Sequence, residues 1–206
     1  MTPTRIFFEK RGRAIYISHL DLMRAFTRAV RRAALPVWYT EGFNPHPYLA
    51  FPLPLPLGQE GLREACDVRL LETVPHDEVK ARLNAVLPEG LRVLNVQEPW
   101  DKAGDIAAAE YRITVQGDVA QAQYLLHAGN LTAKKMGKKG HRKVEKEIEL
   151  MPMVKRYIFE DNMLNCTLAA GSTVNLNPTL LLHALGCDST QITRVRLLKH
   201  DDSTWA

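Results

Sequence analysis

The sequence predicts an α+β protein built from two tandem βαββαβ domains with antiparallel sheets, the arrangement called ferredoxin-like. The chain has 206 residues, 46% of them hydrophobic, which suffices for one large or two small domains. Segments rich in aromatic and β-branched residues alternate with segments of helical periodicity, in the same order in each half. Residues 98–105, EPWDKAGD, break this periodicity. We therefore predict domains at residues 1–98 and 106–206.

The first predicted strand covers residues 5–17, either as one bent strand or as a small hairpin around Arg11-Gly12. A helix follows it, described below. The helical pattern returns in residues 76–86 and stops before Leu87-Pro88. The strands expected around this second helix are residues 62–71 and 91–97. These elements complete the first domain.

The first helix has clear signals at both ends. Ser18 can cap its first turn while Asp21 returns a hydrogen bond, as in a capping box. The helix should end near Ala34, because the residue that follows precedes Pro36. Its apolar stripe consists of Leu22, Phe26, Ala29, Val30 and Ala33. His19 lies near this stripe, and taken alone it is predicted to be a partly buried histidine bonded to the backbone.

Four arginines occupy the opposite face of this helix. They are Arg24, Arg28, Arg31 and Arg32, at the spacing i, i+4, i+7 and i+8. A continuous stripe of guanidinium groups can follow a phosphate backbone. A solvated basic face that complements the helix dipole is the other interpretation.

The second half repeats the order with different residues. The basic segment KKMGKKGHRK, residues 134–143, falls at a predicted hairpin tip. The central strands should lie within residues 131–151 and 154–169. The flanking elements are predicted as a strand at 111–115, a helix at 119–127, a helix at 179–185 and a closing strand at 192–199.

The segment from Glu41 to Gly58 combines two proline patterns. Asn44 and His46 each precede a proline, which excludes helix and favours extended backbone. With a side-chain period of two, Asn44, His46 and Tyr48 should form a polar row on one face. This row is either a binding surface or a turn in which Asn and His satisfy neighbouring backbone groups. The leucine-proline alternation that follows predicts an outer strand with its leucines toward the core, or a polyproline II segment.

Positive charge is concentrated in two segments, although the net formal charge is only +4. Residues 1–50 carry a net charge of +5, and residues 131–143 carry six basic and no acidic side chains. Those six are Lys134, Lys135, Lys138, Lys139, Arg142 and Lys143. Such patches favour a polyanionic partner such as RNA, although basic surfaces also serve solubility alone.

Several classes of protein are disfavoured. No apolar run approaches the roughly 18 residues that cross a bilayer, and the N-terminal segment lacks the apolar stretch of a secretory signal, so we expect a cytoplasmic protein without membrane association. Cys66, Cys166 and Cys187 form no C-x-x-C pair, which predicts neither a disulfide framework nor a metal cluster. The chain also lacks a glycine-rich phosphate loop and a G-x-S-x-G elbow, so kinase, dehydrogenase and common hydrolase functions have no support.

Five short motifs together resemble one known family. They are SHLDLMR at 18–24, RRA at 31–33, LP at 35–36, GFNPHP at 42–47 and PLPLG at 54–58. The combination resembles the radical-SAM-linked domain of unknown function, whose members form the C-terminal part of a B12-binding-type radical SAM protein or a separate neighbouring chain. The resemblance is strongest over residues 5–70. It implies the stand-alone form, a radical SAM protein encoded nearby as partner, and no cofactor in this chain, with the iron-sulfur cluster and S-adenosylmethionine expected only in the partner.

Three functional hypotheses follow. The favoured one is a non-catalytic accessory protein that binds RNA or presents a substrate to a radical SAM enzyme. The basic segments then neutralise phosphates, and Asn44, His46 and Tyr48 contact a base or hold the enzyme. The alternative is a metal-independent ribonuclease that resembles the CRISPR repeat-processing endonucleases at the level of fold. In that case His19 and His46 are the candidate acid and base, and Arg24 stabilises the developing charge. A mononuclear metal site formed by His19, Asp21 and His46 is the third hypothesis.

Overall fold

The chain has an α+β fold, with a mixed, mostly antiparallel sheet and four α-helices in the residues described. A computed structural model describes the backbone of residues 1–139 and 142–206 and the side chains outside residues 135–145. It divides into two compact units. Unit 1 is Met1–Asp105, Arg194–Arg196 and Thr204–Ala206, and unit 2 is Ile106–Thr193 and Leu197–Ser203. The prediction that residues 1–98 and 106–206 form two independent domains stays a prediction.

The strands and α-helices in residues 1–105 of unit 1 follow the predicted order. They are β1 (Thr2–Lys10), α1 (His19–Arg32), β2 (Leu49–Ala50), β3 (Glu60–Leu70), α2 (His76–Asn84) and β4 (Leu91–Gln97). β1 lies between β4 and β3 and is antiparallel to both, and the short β2 pairs with β3. Ile6 is opposite Cys66 on one side and opposite Val96 on the other.

Both helices of unit 1 contribute to one hydrophobic core with the strands. Members from each of these elements include Ile6, Phe8, Leu22, Phe26, Val30, Cys66, Val79, Leu83 and Val93. Alternate residues of β1 enter this core because successive side chains of a strand point to opposite faces. The predicted cap of α1 is confirmed, since the Asp21 amide donates to Ser18 Oγ at 3.1 Å. The helix ends two residues before Ala34, which adopts a positive φ of 50°.

The alternate residues of β1 form a second buried cluster. Arg5 Nε and Nη2 donate to the two carboxylate oxygens of Asp67 at 2.7 and 2.8 Å. The Arg5 guanidinium lies 3.9 Å from the centre of the Trp205 ring, against which Phe7 packs edge-on. Arg5 Nη1 also donates to the Ala206 carbonyl at 2.8 Å. These contacts explain why the last three residues belong to unit 1.

The prediction of a bent strand or hairpin over residues 5–17 is wrong. β1 ends at Lys10, and a 3-10 helix follows over Gly12–Tyr16. The buried Lys10 ammonium donates to the carbonyls of Ile15 and Ile17 at 3.3 and 3.2 Å. Because these carbonyls bond a side chain, the segment folds back on the end of β1 and does not continue as a strand.

The leucine-proline alternation does not form the predicted outer strand. Residues 51–59 contain no strand, and only Leu55 of its leucines is fully buried, while Leu57 is 63% exposed. The Gly58 amide donates to the Ile15 carbonyl at 2.9 Å. The backbone is therefore anchored to a neighbouring loop, and the alternation of leucine and proline did not reveal this because the partner is distant in sequence.

Unit 2 contains one hairpin more than a βαββαβ order provides. Its elements are β5 (Ala108–Gln116), α3 (Val119–Ala128), β6 (Thr132–Lys139), β7 (Arg142–Glu149), β8 (Val154–Glu160), β9 (Met163–Ala169), α4 (Pro178–Ala184) and β10 (Asp188–Leu198), whose residues 194–196 belong to unit 1. β9 lies between β5 and β8, and β6 pairs with β7 in a separate two-stranded sheet. The two segments predicted to hold the central strands, residues 131–151 and 154–169, thus each contain a pair of strands. The register of the basic hairpin runs to Lys139 opposite Arg142, and residues 140 and 141 lie outside the described residues.

The three cysteines are free and buried. Burial raises the pKa of the Cys166 thiol to about 12, and it raises the pKa of Cys66 as well. These thiols are therefore protonated at neutral pH. Among the helices described, we find none whose length and apolar character would allow it to cross a membrane.

Candidate nucleic-acid interface

The four arginines of α1 form an exposed surface, here called the arginine ridge. They are Arg24, Arg28, Arg31 and Arg32. They face solvent because the apolar positions of the helix are buried, as predicted. Arg24 Nη1 donates to Asp21 Oδ1 at 3.0 Å, and Ser18 Oγ donates to the same carboxylate at 2.7 Å. Both bonds lower the pKa of Asp21, and the bond from Ser18 has the larger effect. Arg28 and Arg32 form no salt bridge within the described part of the chain, so their charge is available to a phosphate.

His19 opens α1 and is partly buried, as predicted, but it lacks the predicted bond to backbone at Nδ1. Its ring packs edge-on against Phe51, with 5.2 Å between the ring centres. Nδ1 is buried without a hydrogen-bond partner, so the predicted bond to backbone is not formed there. Burial, together with the positive charge of Lys10, lowers the pKa of His19. The ring is therefore neutral at pH 7.

The proline-stiffened loop, residues 40–48, does not form a single polar row. Its backbone bends at residues 42–44, which takes Asn44 out of line with His46 and Tyr48. His46 Nδ1 lies 3.1 Å from Thr40 Oγ1 and 3.0 Å from the Asn44 carbonyl. His46 is thus tied to its own loop, as the turn interpretation proposes, while Asn44 and His46 both stay exposed.

A cluster of two aromatic rings and an arginine, here called the aromatic cluster, contains Tyr48. The rings of Trp38 and Tyr48 are 5.8 Å apart. The guanidinium of Arg69 lies 5.4 Å from the centre of the Trp38 ring and 4.6 Å from that of Tyr48. Backbone bonds hold the cluster in place, because the Trp38 amide donates to the Arg69 carbonyl and the Tyr48 amide to the Trp38 carbonyl. Sequence reasoning found Tyr48 and missed the other two residues, although the aromatic pair in PVWYT was a local signal.

Arg31 joins the arginine ridge to the proline-stiffened loop. Its Nε donates to Tyr39 Oη at 3.1 Å, and its guanidinium lies 5.6 Å from the centre of the Tyr39 ring. The backbone of Tyr39 pairs with Pro47, the residue between His46 and Tyr48. The ridge and the loop therefore meet at Tyr39. Together, the arginine ridge, Tyr39 and the aromatic cluster are called the basic-aromatic surface below.

Unit 2 carries the second predicted basic segment. Lys134 is exposed on β6. An open depression of about 560 Å³ lies between β6 and α4, and its lining includes Lys134, Asn177, Thr179 and His183. The other predicted members, Lys135, Lys138, Lys139, Arg142 and Lys143, have side chains outside the described residues, and their role stays a prediction.

The two candidate catalytic histidines do not contact each other. His19 contacts Phe51 and His46 contacts Thr40, and nothing in this arrangement favours the ribonuclease hypothesis. Among the described side chains, those of residues 1–134 and 146–206, no group of three His, Cys, Asp or Glu is placed to hold a metal ion. The proposed metal site of His19, Asp21 and His46 is therefore not formed.

A family model covers most of the chain, including every residue of the basic-aromatic surface. Residues 4–178 match the family described as "Uncharacterized protein conserved in bacteria (DUF2344)". The chain belongs to the DUF2344 family. This description of the DUF2344 family names neither an activity nor a partner.

Solved structures add little for this DUF2344 chain. It is similar to a chain described as "Crystal Structure of a Cbf5-Nop10-Gar1 Complex", with 9% sequence identity and a TM-score of 0.49. The alignment covers 96% of this chain and 50% of that chain, so this chain spans about half of its length. A similarity this weak supports no conclusion about function. The search of curated proteins found no match.

Proposed function

We propose that this protein is a non-catalytic accessory protein that binds RNA through the basic-aromatic surface and acts beside a radical SAM enzyme. The observation that carries the proposal is the contact between Arg31 and Tyr39, which joins the arginine ridge to the loop that holds the aromatic cluster. Phosphate-binding and base-binding side chains are then neighbours on unit 1.

The ridge is suited to a phosphate backbone. Arg28 and Arg32 are separated by about 6 Å along the helix axis, because each residue rises 1.5 Å, and neither is neutralised by a carboxylate in the described residues. Guanidinium groups bind phosphate oxygens in pairs of charge-assisted hydrogen bonds. This attraction is independent of base sequence.

The aromatic cluster favours RNA with unpaired bases over a duplex. Aromatic rings and guanidinium planes bind bases by stacking, which requires bases that are not already stacked in a helix. Tyr39 is 38% exposed, and Arg69 is exposed over the half-buried rings of Trp38 and Tyr48. Single-stranded segments and loops are the forms of RNA that such a surface accepts.

The rest of the proposal comes from the sequence. The five motifs that resemble the radical-SAM-linked domain support a radical SAM protein as partner, which alone would hold the iron-sulfur cluster and S-adenosylmethionine. The cytoplasmic location expected from the hydropathy of the sequence is part of the proposal as well. For the fold, we propose two ferredoxin-like units. The element order of unit 1 supports this directly, whereas in unit 2 the pair β6 and β7 is an addition to that order.

Fluorescence anisotropy with a labelled 20-nucleotide poly(U) RNA tests the binding of RNA. The variant R28E/R32E should bind at least about tenfold more weakly, because charge-assisted contacts are lost and repulsion is added. The matched control is R92E/R112E, which changes the charge equally at two exposed arginines outside the basic-aromatic surface. The control should bind close to the wild-type affinity.

Two results would contradict the proposal. If both double variants lose affinity equally, binding depends on net charge and not on the basic-aromatic surface. If the wild type binds neither poly(U) nor a structured hairpin at low salt, the RNA half fails. Co-expression with the neighbouring radical SAM protein tests the other half, which fails if the two proteins do not co-purify.

A further inference from the structure

A groove in unit 1 lies beside the arginine ridge, between α1 and the segment that follows α2. It encloses about 290 Å³, with Arg28 and Arg32 on its α1 side. Ala25 and Ala29 contribute only methyl groups to the groove and are themselves buried. Because these side chains are small, an anion can approach the helix closely enough to contact both guanidinium groups, which are one turn apart on the same face.

The opposite wall of the groove is apolar. It consists of Ala85, Val86, Leu87 and Pro88. Val86 and Leu87 pack partly against the hydrophobic core, which holds them in place, and Pro88 is exposed. A pair of cations facing an apolar wall matches a ligand with a phosphate on one side and a ribose and base on the other. The volume lies near the lower limit of small-molecule pockets, which suits a ligand about as large as one nucleotide.

We infer that this groove holds one nucleotide of the bound RNA, with its phosphate between Arg28 and Arg32 and its ribose and base against residues 86–88. The inference rests on the proposed function and adds to it a fixed position for the strand. An RNA strand whose nucleotide is anchored in this groove enters the basic-aromatic surface at one end of the arginine ridge.

The variant A85W tests the inference. Ala85 is exposed and lines the groove, so an indole at this position fills the groove without entering the core. The matched control is A81W, since Ala81 is exposed one turn earlier on α2 and does not line the groove. Binding of 5′-UMP, uridine and inorganic phosphate is followed by the NMR shifts of the backbone amides of residues 85–87.

In the wild type, 5′-UMP should shift these amides and displace labelled poly(U), phosphate should bind more weakly, and uridine should not bind. A85W should bind 5′-UMP at least about tenfold more weakly, because the phosphate can no longer bond both arginines. R28Q/R32Q should lose 5′-UMP binding to a similar extent, and A81W should behave as the wild type does.

The inference is overturned if 5′-UMP does not shift these amides, if A85W and A81W bind it equally, or if it binds without displacing the RNA. In each of these cases poly(U) still binds the wild type, and the proposed function stands. A wild type that binds no RNA overturns the proposed function and, with it, the assignment of the groove.

Discussion

Replacing Glu64 by glutamine should lower the free energy of unfolding of unit 1 by about 3–5 kcal/mol, the cost of leaving one partner of a buried ion pair uncompensated. The side chains of Glu64 and Arg194 are exposed by only 5% and 1%. Arg194 Nε donates to Glu64 Oε1 at 2.9 Å, and its Nη2 donates to the second carboxylate oxygen and to the Leu53 carbonyl. Glutamine keeps the size of the side chain, removes the charge, and replaces one acceptor oxygen by an NH2 donor that cannot bond the guanidinium. The loss therefore comes from the charge and its hydrogen bonds and not from packing.

A second buried cation sharpens this prediction. Burial lowers the pKa of Lys10, the Glu64 carboxylate raises it, and Arg194 lowers it. Without the carboxylate, the pKa of Lys10 should fall further. Between this lowered pKa and the usual value near 10.5, the unfolded chain binds more protons than the folded one, so stability rises with pH. E64Q should thus recover part of its lost stability in alkaline solution, more than the wild type gains there.

Urea unfolding monitored by tryptophan fluorescence measures the effect, because Trp205 is buried in unit 1. The control is D202N, which removes the charge of the exposed pair between Arg156 and Asp202 and should cost less than about 1 kcal/mol. In the double variant E64Q/R194M no buried charge of the pair is left alone, so it should be more stable than E64Q. A loss below about 1 kcal/mol for E64Q, or a double variant less stable than E64Q, would refute the reasoning.

Three further predictions concern the ridge and two turns. If all four arginines of the ridge contact phosphates, a plot of log K against log salt should have a slope of about −2.8, a loss of about 50-fold between 50 and 200 mM salt; a flat anisotropy titration would contradict this. Asn84→Ala should cost about 1–3 kcal/mol in urea unfolding, because Asn84 bonds both the amide and the carbonyl of Val93 at 2.8 and 3.0 Å. Gly90→Ala should destabilise more than Gly12→Ala in the same assay. Both glycines have a positive φ, but only at Gly90 would a Cβ lie 2.5 Å from a backbone oxygen, that of Arg11. Equal losses would show that this close contact does not affect stability.

The sequence predicted the elements whose causes are local. α1 was predicted to within two residues at its C-terminal end because its cap and its apolar period lie within the helix itself. The buried charges were not predicted, because their partners are far away in sequence. Arg5 and Asp67 are 62 residues apart, and Glu64 and Arg194 are 130 apart. A single sequence does not show these pairings, and charged residues without known partners are expected at the surface.

The candidate site divides in the same way. The exposure of the arginine ridge follows from helical periodicity alone, and it was predicted correctly. The aromatic cluster was found only through Tyr48, since Trp38 and Arg69 reach it from two other segments. The polar row failed because proline restricts the residue before it but does not prevent a bend at residues 42–44.

Unit 1 joins residues that are far apart in the sequence, and this has a consequence for its biosynthesis. The carbonyl of Ala206 that Arg5 contacts is made 201 residues after Arg5. Residues 1–105 hold four strands and two α-helices of unit 1, but not Arg194, the partner of the buried Glu64. Burying the Glu64 carboxylate without this partner is costly. The core around Glu64 can therefore close only after residues 106–193 of unit 2 have been made.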